Sequence, residues 1–212
     1  MTIIEKKDRI QKNALEAWLK NYKYGTAEMV TGSGKTFLAL HCLYTMPKDN
    51  NITHLFLAEV KGRKETLMKE IIKYNIIFKR NVLKDYNLRF GCYQTACKKV
   101  GKNYGLIIGD EIHDALTPMY FKFFKNNTYL ALICLSAKIK LDTKYLIDNK
   151  YISKGHMLNT IAPIIFKYGV NEAKKDKVSK DLKVHIIYNE LDTLDKYIQV
   201  GNKKNKFYQT EA

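Results

Sequence analysis

The stretch Thr31-Gly32-Ser33-Gly34-Lys35-Thr36 restricts this chain more than any other. An apolar run (Ala27, Met29, Val30) precedes it, and a helix-patterned run (Phe37, Leu38, Ala39, Leu40, Leu43) follows. That order predicts a strand, a glycine-rich turn and a helix. The glycines let the backbone double back and aim its N–H groups at an anion, and the helix brings its positive end to the same point. Lys35 carries a charge that can reach β- and γ-phosphates, and Thr36 carries a hydroxyl suited to Mg²⁺. The phosphate-binding candidates are therefore Gly32, Ser33, Gly34, Lys35 and Thr36. The strict phosphate-loop pattern opens with a further glycine, and Met29 stands at that position. A plain glycine-rich turn with an unrelated lysine is the competing reading of the stretch.

The rest of the chain alternates apolar strands with amphipathic helices. Residues 5–21 carry Ile10, Ala14, Leu15, Trp18 and Leu19 at helical spacing, with Gly25 expected to break the chain before the first core strand. Residues 53–60 predict a buried strand. Residues 63–79 predict a helix with Leu67, Met68, Ile71, Ile72 and Ile76 on one face. Short strands follow at 88–90 and 104–109, a helix at 114–125 and a strand at 129–135. Beyond them, 142–149 suggest a short helix, 162–166 an extended piece, 170–180 a lysine-rich helix or loop, and 182–191 a strand. Apolar strands that end in polar residues, with helices between them, are the pattern of an α/β fold whose mostly parallel sheet is covered on both faces.

The strand at 104–109 ends in Asp110-Glu111-Ile112-His113. A parallel sheet delivers these acids to the same edge as the turn at 31–36. Asp110 could hold Mg²⁺, directly or through water, and Glu111 could align and deprotonate a water attacking a γ-phosphate. Phosphoryl transfer asks a protein for cradled phosphates, a fixed metal and an aligned water. Lys35, Glu111 and Asp110 are the catalytic candidates, and Thr36 and Asp110 the metal candidates.

With 212 residues, 46% of them hydrophobic, the chain suits one large domain better than two small ones. Its 37 basic and 21 acidic residues leave a charge of +16, which predicts a polyanionic partner, nucleic acid first. Solubility, and the lysine- and asparagine-rich usage of an AT-rich genome such as a phage's, are the alternatives. Cys42, Cys92, Cys97 and Cys134 form no CxxC pair or zinc spacing, so reduced, mostly buried thiols are expected. A charged N-terminus without an apolar run behind it argues against a signal peptide, and no stretch has the length of a membrane span. A cytoplasmic protein is the expectation.

Taken together, Met29-Val-Thr-Gly-Ser-Gly-Lys-Thr36, Asp110-Glu-Ile-His113 and Ser136-Ala-Lys138 resemble superfamily 2 helicases and translocases, closest to the DEAD/DEAH-like branch of phage helicases and restriction-enzyme motors. In that branch a non-glycine at the Met29 position is common. The resemblance implies a RecA-like ATP-binding domain over residues 1–191, a basic tail or linker at 192–212, and ATP with Mg²⁺ as cofactors. It also implies a role for particular residues. Gln11 would read adenine, with Arg9 beside it, although a solvated helix glutamine is also open. Lys61 and Arg63 would touch the nucleic-acid backbone, as would Tyr93, Gln94 and Thr95, for which a structural role is equally open. His113, Ser136 and Ala137 would couple hydrolysis to strand movement, with Lys138 standing where threonine is usual. Residues 159–190 resemble the segment closing the first motor domain. These motors need a second RecA-like domain, in cis or in trans, which brings an arginine finger. The chain is thus expected to be a first motor domain that binds DNA and hydrolyses ATP weakly alone. A duplex translocase subunit of a restriction or packaging system, or a non-catalytic nucleic-acid-binding module, are the alternatives.

Overall fold

The computed structural model describes residues 2–59, 63–147, 149–178, 197–200 and 203–206. The chain divides into two units, Met1–Lys180 and Asp181–Ala212. In the first, α1 (Ile3–Lys20) leads to β1 (Tyr24–Met29), α2 (Lys35–Leu43), β2 (Thr53–Ala58) and α3 (Arg63–Phe78). Short α4 (Val82–Asp85), β3 (Asn87–Cys92), short α5 (Tyr93–Ala96) and β4 (Asn103–Gly109) follow. Then come α6 (Ile112–Ala115), α7 (Pro118–Lys125), β5 (Thr128–Ser136), a hairpin of β6 (Lys144–Ile147) and β7 (Lys150–Ser153), α8 (Lys154–Ile161), β8 (Ile164–Tyr168) and α9 (Val170–Lys175). In the second unit, β9 (Tyr197–Val200) and β10 (Lys203–Lys206) pair antiparallel. The strand expected at 182–191 lies outside the described residues.

The central sheet is six-stranded and parallel throughout, in the order β3-β2-β4-β5-β1-β8. Its alternating residues feed two cores. Phe56, Leu106, Ile108, Ile133 and Leu135 pack with α1, α2 and α3 on one face. Leu55, Leu57, Ile107, Leu132 and Cys134 pack with the helices from α5 to α8 on the other. This is the covered parallel sheet that the apolar runs predicted. Trp18, fully buried, ties α1 to the sheet by donating its indole N–H to the Leu132 carbonyl at 2.9 Å. Cys42, Cys92 and Cys134 are buried and Cys97 is half-buried. No helix among the described residues is long and apolar enough to cross a membrane.

Four local expectations are corrected. Residues 144–153 form a hairpin and not a helix: Tyr145 pairs with Ile152 and Leu146 with Tyr151, and Asn149 takes the positive φ (60°) the turn needs. The helix expected at 114–125 breaks in two at Leu116, because Thr117 caps a new helix with Pro118 in its first turn. On α3 the buried stripe is Leu67, Ile71 and Tyr74, while Ile72 and Ile76 face outward. Tyr74 wins that stripe because its ring packs edge-on against Phe37 and His41 and its hydroxyl accepts a bond from Arg80 at 2.9 Å.

Gly25 does not break the chain; it is the second residue of β1. A Cβ there would lie 2.6–2.7 Å from three side-chain atoms of Ile165, including both branches at its Cβ. Glycine therefore lets β8 close onto β1. Replacing Gly25 with Ala is expected to destabilise the domain by about 1–3 kcal/mol in urea unfolding, and adding Ile165→Ala should recover part of that loss. A Gly25→Ala protein as stable as wild type would contradict this account of the β1–β8 contact.

Candidate functional site

Three neighbouring strands, β4, β5 and β1, end on the same edge of the sheet, and the candidate site sits across those ends. After β1 the chain turns through Gly32 (φ 83°) and Gly34 (φ 95°), both in the left-handed region, and enters α2 directly at Lys35. Residues with side chains resist that backbone, which explains both glycines. Lys35 is only 9% exposed. Its Nζ lies 3.4 Å from the Met29 carbonyl and 3.3 Å from Glu111 Oε1. Thr36 is buried beside it.

The acid pair is held from its backbone outward. The Asp110 N–H continues the ladder to β2 by donating to the Leu57 carbonyl at 2.8 Å. The Asp110 carbonyl accepts from the Tyr93 hydroxyl at 2.9 Å. Gly109 leaves room for that hydroxyl, since a Cβ there would be 3.0 Å from it. Glu111 then takes a left-handed conformation (φ 47°, ψ 55°), unusual for a residue with a side chain. This turn carries its carboxylate back to Lys35. Glu111 Oε2 lies 3.4 Å from His113 Nδ1 and has no hydrogen-bond partner among the described residues. His113 Nδ1 in turn lies 2.8 Å from Ser136 Oγ, at the end of β5. The segment at 136–138 and the acid pair are thus physically joined, as their order in the sequence suggested, with Ala137 half-buried beside them.

Asp110 is 3% exposed. Burial pushes its carboxyl above the usual range, and the nearby Arg63 guanidinium and Lys35 pull it partly back. Arg63 Nε approaches Asp110 Oδ2 at 3.3 Å, so this residue, expected on a nucleic-acid backbone, is engaged with the acid pair, its side chain 42% exposed. Lys61 lies outside the described residues. Tyr93 is 2% exposed and its hydroxyl is used on Asp110, so its part is structural, while Gln94 and Thr95 are at the surface. Arg9 pairs with Asp176 at 3.2 Å. Gln11 is buried and does reach the loop: its Nε2 lies 3.4 Å from the Ser33 carbonyl, and its Oε1 is unpartnered among the described residues. Lys154, which the sequence reading missed, donates to the His113 carbonyl at 3.0 Å. No motif marks it, because the hairpin before it decides where it falls.

The donor set suits magnesium and a nucleotide triphosphate. Thr36 and Asp110 offer a hydroxyl and a carboxylate, the hard oxygen ligands that Mg²⁺ prefers. Left-handed glycines at 32 and 34 and the start of α2 form an anion-binding concavity next to Lys35.

Residues 6–141 match the family described as "Type III restriction enzyme, res subunit". No curated protein matches the chain in sequence. Among solved structures, the chain is similar to the ATP-dependent Type ISP restriction-modification enzyme LlaBIII bound to DNA (17% identity, TM-score 0.53, covering 79% of this chain and 15% of that one). It is also similar to a nuclease-deletion mutant of the Type ISP enzyme LlaGI in complex with a DNA substrate mimic (17%, TM-score 0.55, 81% and 20%). A third is the Hef helicase domain of Pyrococcus furiosus (15%, TM-score 0.51, 82% and 40%). At these identities the likeness is one of fold, and the chain spans 15–40% of those chains' lengths.

The ionised form of Asp110 is disfavoured by burial, so Asp110→Asn should stabilise the fold at neutral pH, by about 2–4 °C in Tm per kcal/mol recovered. A carboxyl raised above its unfolded value costs stability above that value and ceases to do so as pH falls and it protonates in both states. The gap between variant and wild type should therefore close towards acid pH. A variant less stable than wild type at pH 7 would contradict this assignment.

Proposed function

The chain belongs to the family of type III restriction enzyme res subunits, and from that premise we propose that it is the first RecA-like domain of a superfamily 2 motor that hydrolyses Mg·ATP on DNA. The observation that carries the proposal is the convergence of Lys35, Thr36, Asp110 and Glu111 on one edge of the parallel sheet. In it, the backbone at Gly32–Gly34 would cradle the phosphates, and Lys35 would exchange Glu111 for phosphate oxygens. Thr36 and Asp110 would hold Mg²⁺, which would neutralise charge on the phosphates. Glu111, once released by Lys35, has a carboxylate free to align a water and take its proton. Its Oε2, near the His113 ring and without a hydrogen-bond partner among the described residues, supports that role. Gln11 holds the adenine side of the site and fixes the loop through Ser33. The His113–Ser136 contact carries the state of the acid pair to the segment at 136–138.

Residues 1–191 make up this motor domain in our reading, with 192–212 leading toward a second RecA-like domain supplied in cis or in trans. That domain would bring an arginine worth about 10³–10⁵ in rate. Unwinding of DNA is our first reading of that motor, and a duplex translocase subunit of a restriction or packaging system is the alternative. Displacement of a triplex-forming strand by the complete motor, with no release of a base-paired strand, would support translocation, and the reverse would support a helicase.

The catalytic assignment is tested by single-turnover hydrolysis of Mg·ATP with DNA present. Glu111→Gln is expected to keep nucleotide binding and lose about 10²–10⁴ in rate. A rate equal to wild type would remove Glu111 from the mechanism. DNA affinity should fall linearly with salt on a logarithmic plot, as phosphate contacts require, and an affinity indifferent to salt would contradict the basic-surface reading.

A further inference from the structure

Lys154 opens α8, and its charge is misplaced for that helix. A cation is unfavourable at a helix N-terminus, and the first turn of α8 holds no acid to offset it. The half-buried side chain instead leaves its own helix and donates to the His113 carbonyl at 3.0 Å. That carbonyl belongs to α6, a single turn whose last carbonyls lie beyond any intrahelical ladder. Leu116, which follows the turn, has a non-helical backbone (φ −80°, ψ 59°). A cation is favourable at a helix C-terminus, where it can bond such carbonyls. The charge therefore serves α6 at the expense of α8.

The backbone at Lys154 is itself fixed. Its N–H donates to the Thr143 carbonyl at 2.8 Å, and the Gly155 N–H donates to the Leu141 carbonyl at 3.0 Å, which closes the base of the β6–β7 hairpin. Met157, Leu158 and Ile161 anchor α8 in the core on that face of the sheet, and Tyr145 and Ile152 pack the hairpin against the same core. The His113 ring has Ser136 Oγ at 2.8 Å and Glu111 Oε2 at 3.4 Å from its Nδ1, and Asp114 Oδ1 at 3.5 Å from its Nε2. A ring carried on one helical turn keeps these distances only if the turn is held.

We propose that Lys154 is a positioning residue, which fixes the α6 turn and through it the His113 imidazole against Glu111 and Ser136. It acts on the reaction through His113 alone. The proposal deepens the motor reading and rests on it for its kinetic consequence, while the link from Lys154 to His113 is measurable in the chain without nucleotide.

The first measurement is the NMR spectrum of the imidazole groups in the full, nucleotide-free chain, which has five histidines. The His113 signals are assigned by their loss in His113→Gln. Lys154→Met keeps an aliphatic stem and removes the charge. It is expected to shift or broaden the His113 signals and to leave those of His41 and His54 in place, and Lys154→Arg should keep all of them at their wild-type positions. Lys150→Met, at an exposed position of the same hairpin, should move none. His113 signals that stay in place in Lys154→Met, or that move equally in Lys150→Met, overturn the proposal. Should Lys154→Met fail to fold, Lys154→Gln, shorter and uncharged, is held to the same outcomes. The second measurement is single-turnover hydrolysis of Mg·ATP with DNA present. Lys154→Met should slow it by roughly 10–100-fold with the Kd for Mg·ATP unchanged, and Lys154→Arg should recover most of the rate. An unchanged rate overturns the positioning role. A wild-type chain that binds no Mg·ATP contradicts the motor reading instead, and the His113 signals then decide the Lys154 link alone.

Discussion

The negative charge of Asp110, almost completely shielded from water at the end of β4, is the constraint around which the site is built. A buried carboxylate without a partner is costly. Here the charge is balanced from one side by Arg63, at the start of α3, with Lys35 close enough to lower the carboxyl as well. The backbone that carries it is clamped by β2 through its N–H and by Tyr93 through its carbonyl. A carboxylate fixed in place, and balanced by a guanidinium that remains half in solvent, suits the binding of a metal. The balancing group can leave without moving the carboxylate.

The order of strands gives the second constraint. β5 lies between β1 and β4, so its last residue, Ser136, sits between the phosphate loop and the acid pair. The His113 ring joins the segment of the acid pair to Ser136. Glu111 reaches across to Lys35 only because its backbone is left-handed, an unfavourable conformation of the kind often stored at functional sites. The local geometry and the sheet topology therefore act together. Parallel pairing sets the strand ends side by side, and one strained residue closes the remaining distance.

Much of this was legible in the chain itself. The glycine-rich turn and the acid pair each follow an apolar strand, and a parallel sheet must bring such ends to one edge. Other parts were legible only in part, because they depend on which residue wins a shared position. Tyr74 takes the inner stripe of α3 by ring packing, which displaces Ile72 and Ile76 to the surface. For Tyr93 a strand contact and a structural role were equally open, and the glycine at 109 leaves a space that its hydroxyl fills. Arg63 looked like a contact for nucleic acid, and no spacing rule reveals that a buried carboxylate lies within its reach. The hairpin at 144–153 was hidden by short runs in which apolar residues fit either a helix or a strand, the turn at Asn149 being the deciding feature.

Arg63 balances Asp110 while keeping part of its side chain in solvent. The phosphate site itself is the central claim, and calorimetric titration of Mg·ATP into the wild-type chain and into Lys35→Ala tests it most directly. Magnesium-dependent binding to the wild type, lost in Lys35→Ala, is the result this account predicts. Equal binding by both, or no binding by the wild type, would contradict it.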